Sequence, residues 1–243
     1  MGRNRRWAPT TVEEVIRPFE QGHIDATRRR SLARRALAGY PNGPGAPAEA
    51  TEQALARIDE ASRVVLVEGI SDQMALDATA RRLGRNLEAE GVVVLPVGGA
   101  QALARFIQQL GPLGDKRQLA GLYDADEAET IRRAVRRGGL GTPNTDADME
   151  ALGFHVCDRD LEDELIRALG IDAVLDVVAS QGDLSSFRTM QKQPAWRYRP
   201  VDDQLRRFLV SGAKRKLRYA RLLVESLDLD HLPAPLSKLL GSV

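Results

Sequence analysis

Val64-Val65-Leu66-Val67-Glu68-Gly69-Ile70-Ser71-Asp72 is the stretch that decides the fold. Four apolar, mostly β-branched residues are too few for a helix and read as a buried strand. Gly69 permits a sharp turn out of it. A helical pattern starts at Ser71, so Ser71 or Asp72 is expected to cap a helix. Glu68 then stands at the carboxyl end of a strand and Asp72 in the first turn of the helix that follows. In an open parallel sheet, that edge is where ligands bind.

Working outward, the same alternation repeats. Strands are expected at 64–67, 92–97, 118–123 and 153–157, with helices at about 71–90, at 100–110, and from Asp126 to about 137. Strands alternating with helices of this length predict βαβ units and a mostly parallel four-stranded sheet flanked by helices. Upstream, a short helix is expected at about 49–61, after a Pro/Gly linker at 40–48 (YPNGPGAPA). Residues 11–38 read as a basic helical arm bent at Pro18. From 170 the pattern is helical almost to the end. The expected division is an arm and linker at 1–48, an α/β domain at 49–170, and a helical, basic extension at 171–243.

The composition is that of an ordinary soluble chain: 243 residues, 28% charged and 43% hydrophobic. No apolar run approaches the ~18 residues a membrane span needs, and no apolar segment follows the basic MGRNRRWAPT, so no secretory signal is expected. Cys157 is the lone cysteine, which fits a cytoplasmic location and disfavours both disulfides and zinc. A net charge of +1 hides an asymmetry: residues 1–40 carry +5, 41–186 carry −11 and 187–223 carry +9. An acidic middle between basic ends points to a cation site beside polyanion-binding surfaces. Solvated helix faces are the plainer alternative.

The acids fall on the strand ends. Strand one delivers Glu68 and Asp72, strand three Asp124 and Asp126, and strand four leads to Asp158, Asp160 and Glu162. Carboxylates gathered in one place repel and need a counter-charge. Without a Cys or His cluster, that charge is a hard, oxygen-loving cation, Mg²⁺ or Mn²⁺. Two such ions can activate a water and stabilise the leaving oxygen of a phosphodiester. Each piece alone also has a local reading: Asp124-Ala125-Asp126 as a helix cap, Asp160 and Glu162 as partners of a helix dipole. Gly98-Gly99 could admit a phosphate or serve only as a turn. Trp196-Arg197-Tyr198-Arg199 suits phosphate contacts with base stacking, or a packed Trp with surface charges. His155 and Cys157 read as core residues.

VVLVEGISDQMAL resembles the opening motif of a TOPRIM domain, and LYDADEAE resembles its D-x-D motif. The SD after VEG, the VGGAQALARFIQQL segment and DRDLEDEL are similar to the OLD (overcoming lysogenization defect) family of TOPRIM nucleases. The likeness covers about 62–170 well and the basic C-terminus loosely. It implies a Rossmann-like TOPRIM fold and a Mg²⁺/Mn²⁺-dependent nuclease, with DNA the expected substrate and two ions at the site. It further implies Glu68, Asp72, Asp124, Asp126 and Glu162 as metal ligands, with Glu68 also able to handle a proton. A late lysine steadies the phosphate in this pattern; Lys214 and Lys216 are both candidates, Lys216 preferred. Arg197, Arg199, Lys214, Arg215, Lys216 and Arg218 are the expected nucleic-acid contacts. The resembled family usually carries an ATPase domain, but no G-x-x-x-x-G-K-[ST] motif occurs here, so ATP hydrolysis is not expected, and a separately encoded ATPase is a possible partner. A non-catalytic binding subunit and a primase-like nucleotidyl transferase are the alternative readings.

Overall fold

The computed structural model describes residues 46–111 and 118–243. The expected arm helix at 11–38, and all but the last three residues of the expected linker, lie outside these. Helix α1 spans Ala46–Arg57, so residues 46–48 already belong to a helix. Strands β1 (Arg63–Val67), β2 (Val92–Pro96), β3 (Gln118–Asp124) and β4 (Phe154–Cys157) form one sheet in the order β2-β1-β3-β4. Every neighbouring pair is parallel. The fold is α/β, as expected, and its described strands are wholly parallel.

Helices cover both faces, which is why β1 and β2 read as continuous apolar runs. One face buries Leu66, Leu95 and Phe154 under α3 (Ala100–Leu110) and α4 (Ala128–Arg137), through Phe106, Ile107 and Ile131. The other buries Val65, Val94 and Leu122 under α2 (Ile70–Arg82) and α6 (Leu161–Leu169). The chain also forms α5 (Asp146–Ala151) just before β4 and α7 (Ile171–Ser180) just after α6. The remaining helices are α8 (Leu184–Gln191), α9 (Val201–Leu209), α10 (Ala213–Ser226) and α11 (Ala234–Ser242). Phe208, Tyr219, Leu223 and Leu239 from this region share one core with Val65 and Val67 of β1. The sequence pattern changes near 170, but the packing is continuous across it. No helix among the described residues is long and apolar enough to cross a membrane.

Helix α2 is shorter than the expected 71–90. It ends at Arg82, and Gly84 at φ 74° turns the chain away, a conformation open to glycine at little cost. The basic residues at this end have structural work. The Arg82 guanidinium donates to the carbonyls of Val224 (2.7 Å) and Leu227 (2.6 Å), capping the carboxyl end of α10. Arg85 donates to Val243 at 2.7 Å and to Leu240. Arg82→Ala is expected to cost about 2 kcal/mol by leaving the Leu227 carbonyl unmet and the Val224 carbonyl with only the Leu227 N–H. Thermal unfolding would show a fall of roughly 4–8 °C for a chain of this size.

His155 and Cys157 are core residues, as expected. His155 is 3% exposed, neither ring nitrogen has a hydrogen-bond partner, and burial lowers its pKa.

Candidate metal centre

The chain leaves β1 toward β2 on one side and returns past it to β3 on the other. β1 and β3 are therefore adjacent strands whose connections diverge, and their carboxyl ends frame a crevice. Glu68 follows β1 and Asp124 ends β3; the backbone N–H of Asp124 faces the Glu68 carboxyl. The backbone of Glu68 is fixed from the other side. The N–H groups of Gly98 (2.8 Å) and Gly99 (3.0 Å) both donate to its carbonyl. Gly98 and Gly99, at φ 88° and 110°, thus form a turn whose donors are already used, which favours the plain reading over a phosphate cradle.

Asp72 is held by its own turn. Helix α2 starts at Ile70, so Gly69 is its cap, ahead of the Ser71 or Asp72 expected. The Gly69 N–H donates to Asp72 Oδ2 at 2.8 Å. Beyond β4, Asp160 caps α6, accepting from the Asp163 N–H at 2.8 Å. Arg206 of α9 clamps the other Asp160 oxygen at 2.6 and 2.5 Å. Arg159, just before it, sits at φ 69°, the one non-glycine in left-handed backbone among the described residues. Its guanidinium binds Asp163 (3.3 Å) and Asp203 (2.7 Å), which holds a turn that is otherwise unfavourable. Glu162, in the first turn of α6, is 4% exposed and meets Lys216 Nζ at 3.3 Å.

The electrostatics report one shared site. Asp124 is pushed up to about 8, first by burial and then by Glu68, Asp72, Asp160 and Glu162. Glu68 is raised by burial and then by Asp72. Glu162 is raised to about 7 by burial, against the lowering effect of Lys216. Burial opposes the charge on Lys216, but Glu162, Asp72 and Asp160 outweigh it and its pKa rises. Glu68 Oε1 is buried without a hydrogen-bond partner.

Glu68, Asp72, Asp124 and Glu162 thus lie within electrostatic reach of one another. Asp126 is exposed on the short 3-10 turn Ala125–Glu127. Glu127 is the residue of that turn whose charge raises Glu68. Spacing could have found it, since a cap residue and the residue three positions on face each other, and Asp124 and Glu127 are such a pair. Arg206, forty-six positions from Asp160, had no local signal. Of the two lysines, Lys216 enters the site, whereas Lys214 is exposed. Arg215 and Arg218 both close on Asp183, Arg215 at 3.7 Å. Arg197 and Arg199 are exposed, and Arg197 lies 4.7 Å over the Tyr198 ring.

Residues 61–126 match the family model described as overcoming lysogenization defect protein-like, TOPRIM domain. The chain carries an OLD-like TOPRIM domain. Its fold is similar to the C-terminal region of the OLD protein from Xanthomonas campestris pv. campestris, at TM-score 0.59 and 24% identity, covering 76% of this chain and 93% of that one. The C-terminal region of the Burkholderia pseudomallei OLD protein aligns at TM-score 0.52 and 23% identity, covering 74% of this chain and 96% of that one. No curated protein matches the chain. The likeness of fold extends well past the TOPRIM segment, consistent with the core that β1 shares with α9, α10 and α11. TOPRIM domains of this type form a nuclease-type, metal-binding family whose members act on nucleic acids.

The TOPRIM donors are all oxygen, which suits Mg²⁺ or Mn²⁺. Among the described residues no three His, Cys, Asp or Glu side chains are gathered closely enough to grip an ion as they stand. Two features still fit a hard cation: the buried, unpartnered Glu68 Oε1 and the mutual repulsion that lifts Asp124. The Lys216 ammonium supplies part of the counter-charge.

Proposed function

We propose that the chain is a metal-dependent nuclease that hydrolyses phosphodiester bonds, with DNA as the expected substrate. The observation that carries this is the convergence of Glu68, Asp72, Asp124 and Glu162 on one crevice at the TOPRIM strand ends, with Lys216 among them. Glu68, Asp72, Asp124, Asp126 and Glu162 would hold Mg²⁺ or Mn²⁺, two ions in all. When bound, the metal supplies a Lewis acid that acidifies water and neutralises charge on the phosphate.

The protein's own groups do the rest. Glu68 Oε1, free of hydrogen bonds, is available to accept a proton from the attacking water. Lys216 Nζ offsets the negative charge that develops on the phosphate as the bond breaks. Arg206 fixes Asp160, so Asp160 acts as an anchor of the α6 turn rather than a free ligand. Arg197, Arg199 and Lys214, all exposed, would make sequence-independent phosphate contacts.

Purified protein incubated with supercoiled plasmid and Mn²⁺ is expected to nick it, and a chelator to stop the reaction. Wild-type protein that binds plasmid but never nicks it would favour a binding subunit, and nucleotide incorporation on a single-stranded template would favour a transferase.

A further inference from the structure

Two consecutive pairs of residues straddle a wall between the carboxylate crevice and a second cavity. On α9, Arg206 reaches Asp160, while Arg207 lines a cavity of about 460 Å³. On α10, Lys216 reaches Glu162, while Arg215 lines the same cavity. Adjacent helical residues point about 100° apart, so each helix serves both spaces. The opposite wall comes from α8 and the turn after it, with Ser185, Thr189, Gln193 and Trp196.

The lining has a particular chemistry. Arg215 Cζ lies 4.2 Å from the centroid of the Phe208 ring, and its Nη1 donates to Ser211 Oγ at 2.7 Å. The guanidinium is therefore a fixed plate backed by an aromatic ring. Trp196 adds a second aromatic lining residue, and Ser185 and Gln193 add donors and acceptors, while the Thr189 hydroxyl, donating to the Ser185 carbonyl at 2.9 Å, adds an acceptor. Unpaired bases stack on aromatic rings and on guanidinium planes, and are read by polar groups at their edges. The volume lies within the range of small-molecule sites, about 300–1,000 Å³. Next along the chain, Tyr198 is 83% exposed beneath Arg197, a further platform outside the cavity.

We propose that this cavity receives an unpaired nucleobase of the strand to be cut, stacked between Arg215 and Trp196. The proposal rests on the nuclease reading for its substrate. It makes the enzyme favour single-stranded or locally opened nucleic acid, because a base inside a duplex cannot enter. Arg207 would hold the phosphate beside that base.

The test uses the full chain with Trp7→Phe, which leaves Trp196 as the sole tryptophan, in chelator so that nothing is cut. The probes are oligothymidylate, oligouridylate and an abasic deoxyribose-phosphate strand of equal length. A base-bearing strand is expected to quench Trp196 saturably and to bind roughly tenfold more tightly than the abasic strand; the thymidylate and uridylate arms tell DNA from RNA. Thr189→Phe, at an exposed position that fills the cavity, is expected to remove that advantage and leave abasic binding unchanged. Equal affinity for abasic and base-bearing strands, or an advantage that Thr189→Phe does not alter, would overturn the proposal. Plasmid nicking in Mn²⁺ is scored on the same preparations. Nicking without base-dependent quenching refutes the pocket alone. Base-dependent quenching without nicking supports the pocket and refutes the nuclease.

Discussion

Asp124→Asn is expected to abolish metal-dependent nicking and, in chelator at pH 8, to make the protein more stable than wild type. Both effects come from the same electrostatics. Burial first, and then four neighbouring carboxyl groups, push the Asp124 pKa up to about 8 from an ordinary 3.8. The folded protein therefore binds more protons than the unfolded chain between those values. Stability must then fall as pH rises from about 4 to about 8. Asn carries no titrating proton, so its protein lacks that loss. The difference between the two should vanish below pH 4, where the Asp is protonated in both states. Added Mn²⁺ is expected to raise the wild-type melting temperature more at pH 8 than at pH 6, and to leave Asp124→Asn nearly unmoved. Nicking is expected to drop at least ~10³-fold, because the attacking water loses its activation. Scanning calorimetry across pH and a plasmid assay check the two halves. A variant that nicks like wild type would remove Asp124 from the site.

Lys216→Met should separate stability from chemistry. Glu162 is 4% exposed, and the ammonium 3.3 Å away is its partner. Removing that ammonium leaves a buried carboxyl unpaired, an expected cost of about 1–3 kcal/mol in urea unfolding. Without Lys216 the Glu162 pKa should climb above its value of about 7, so the cost should grow with pH. Adding Glu162→Gln should restore most of the stability, since Gln needs no counter-charge. Nicking should stay at least about 10²–10³-fold down in the double variant, because both the lysine ammonium and the Glu162 metal ligand are gone. Lys214→Met, at an exposed position, should change neither stability nor the chemical step. Equal losses from the two lysines would mean that both act only as surface charge.

Much of this architecture is legible in the chain because burial on two faces leaves a plain record. VVLV and VVVLP have no polar alternation, as sandwiched parallel strands require. Glu68 is legible because a carboxylate directly after such a strand has few structural uses. The end of α2 was harder to place, since Arg81 and Arg82 continue a helical pattern and Gly84 alone stops it. At Asp124-Ala125-Asp126, a strand-to-helix rule could not tell an extended continuation from a 3-10 turn. That turn leaves Asp126 exposed and brings Glu127 toward Glu68. The Arg206–Asp160 clamp and the Arg215–Asp183 contact join positions far apart in the chain, so no local spacing could mark them. The late lysine was the exception: a resemblance of pattern preferred Lys216 over Lys214, and Lys216 is the one beside Glu162.

Binding of Mn²⁺, followed by the loss of its free electron paramagnetic resonance signal, tests the shared cation pocket most directly. Wild-type protein should take up Mn²⁺ saturably, and Glu68→Gln and Asp124→Asn should each lose that uptake while keeping the wild-type circular dichroism spectrum. Uptake undiminished in both folded variants would mean that the strand-end carboxylates do not share an ion.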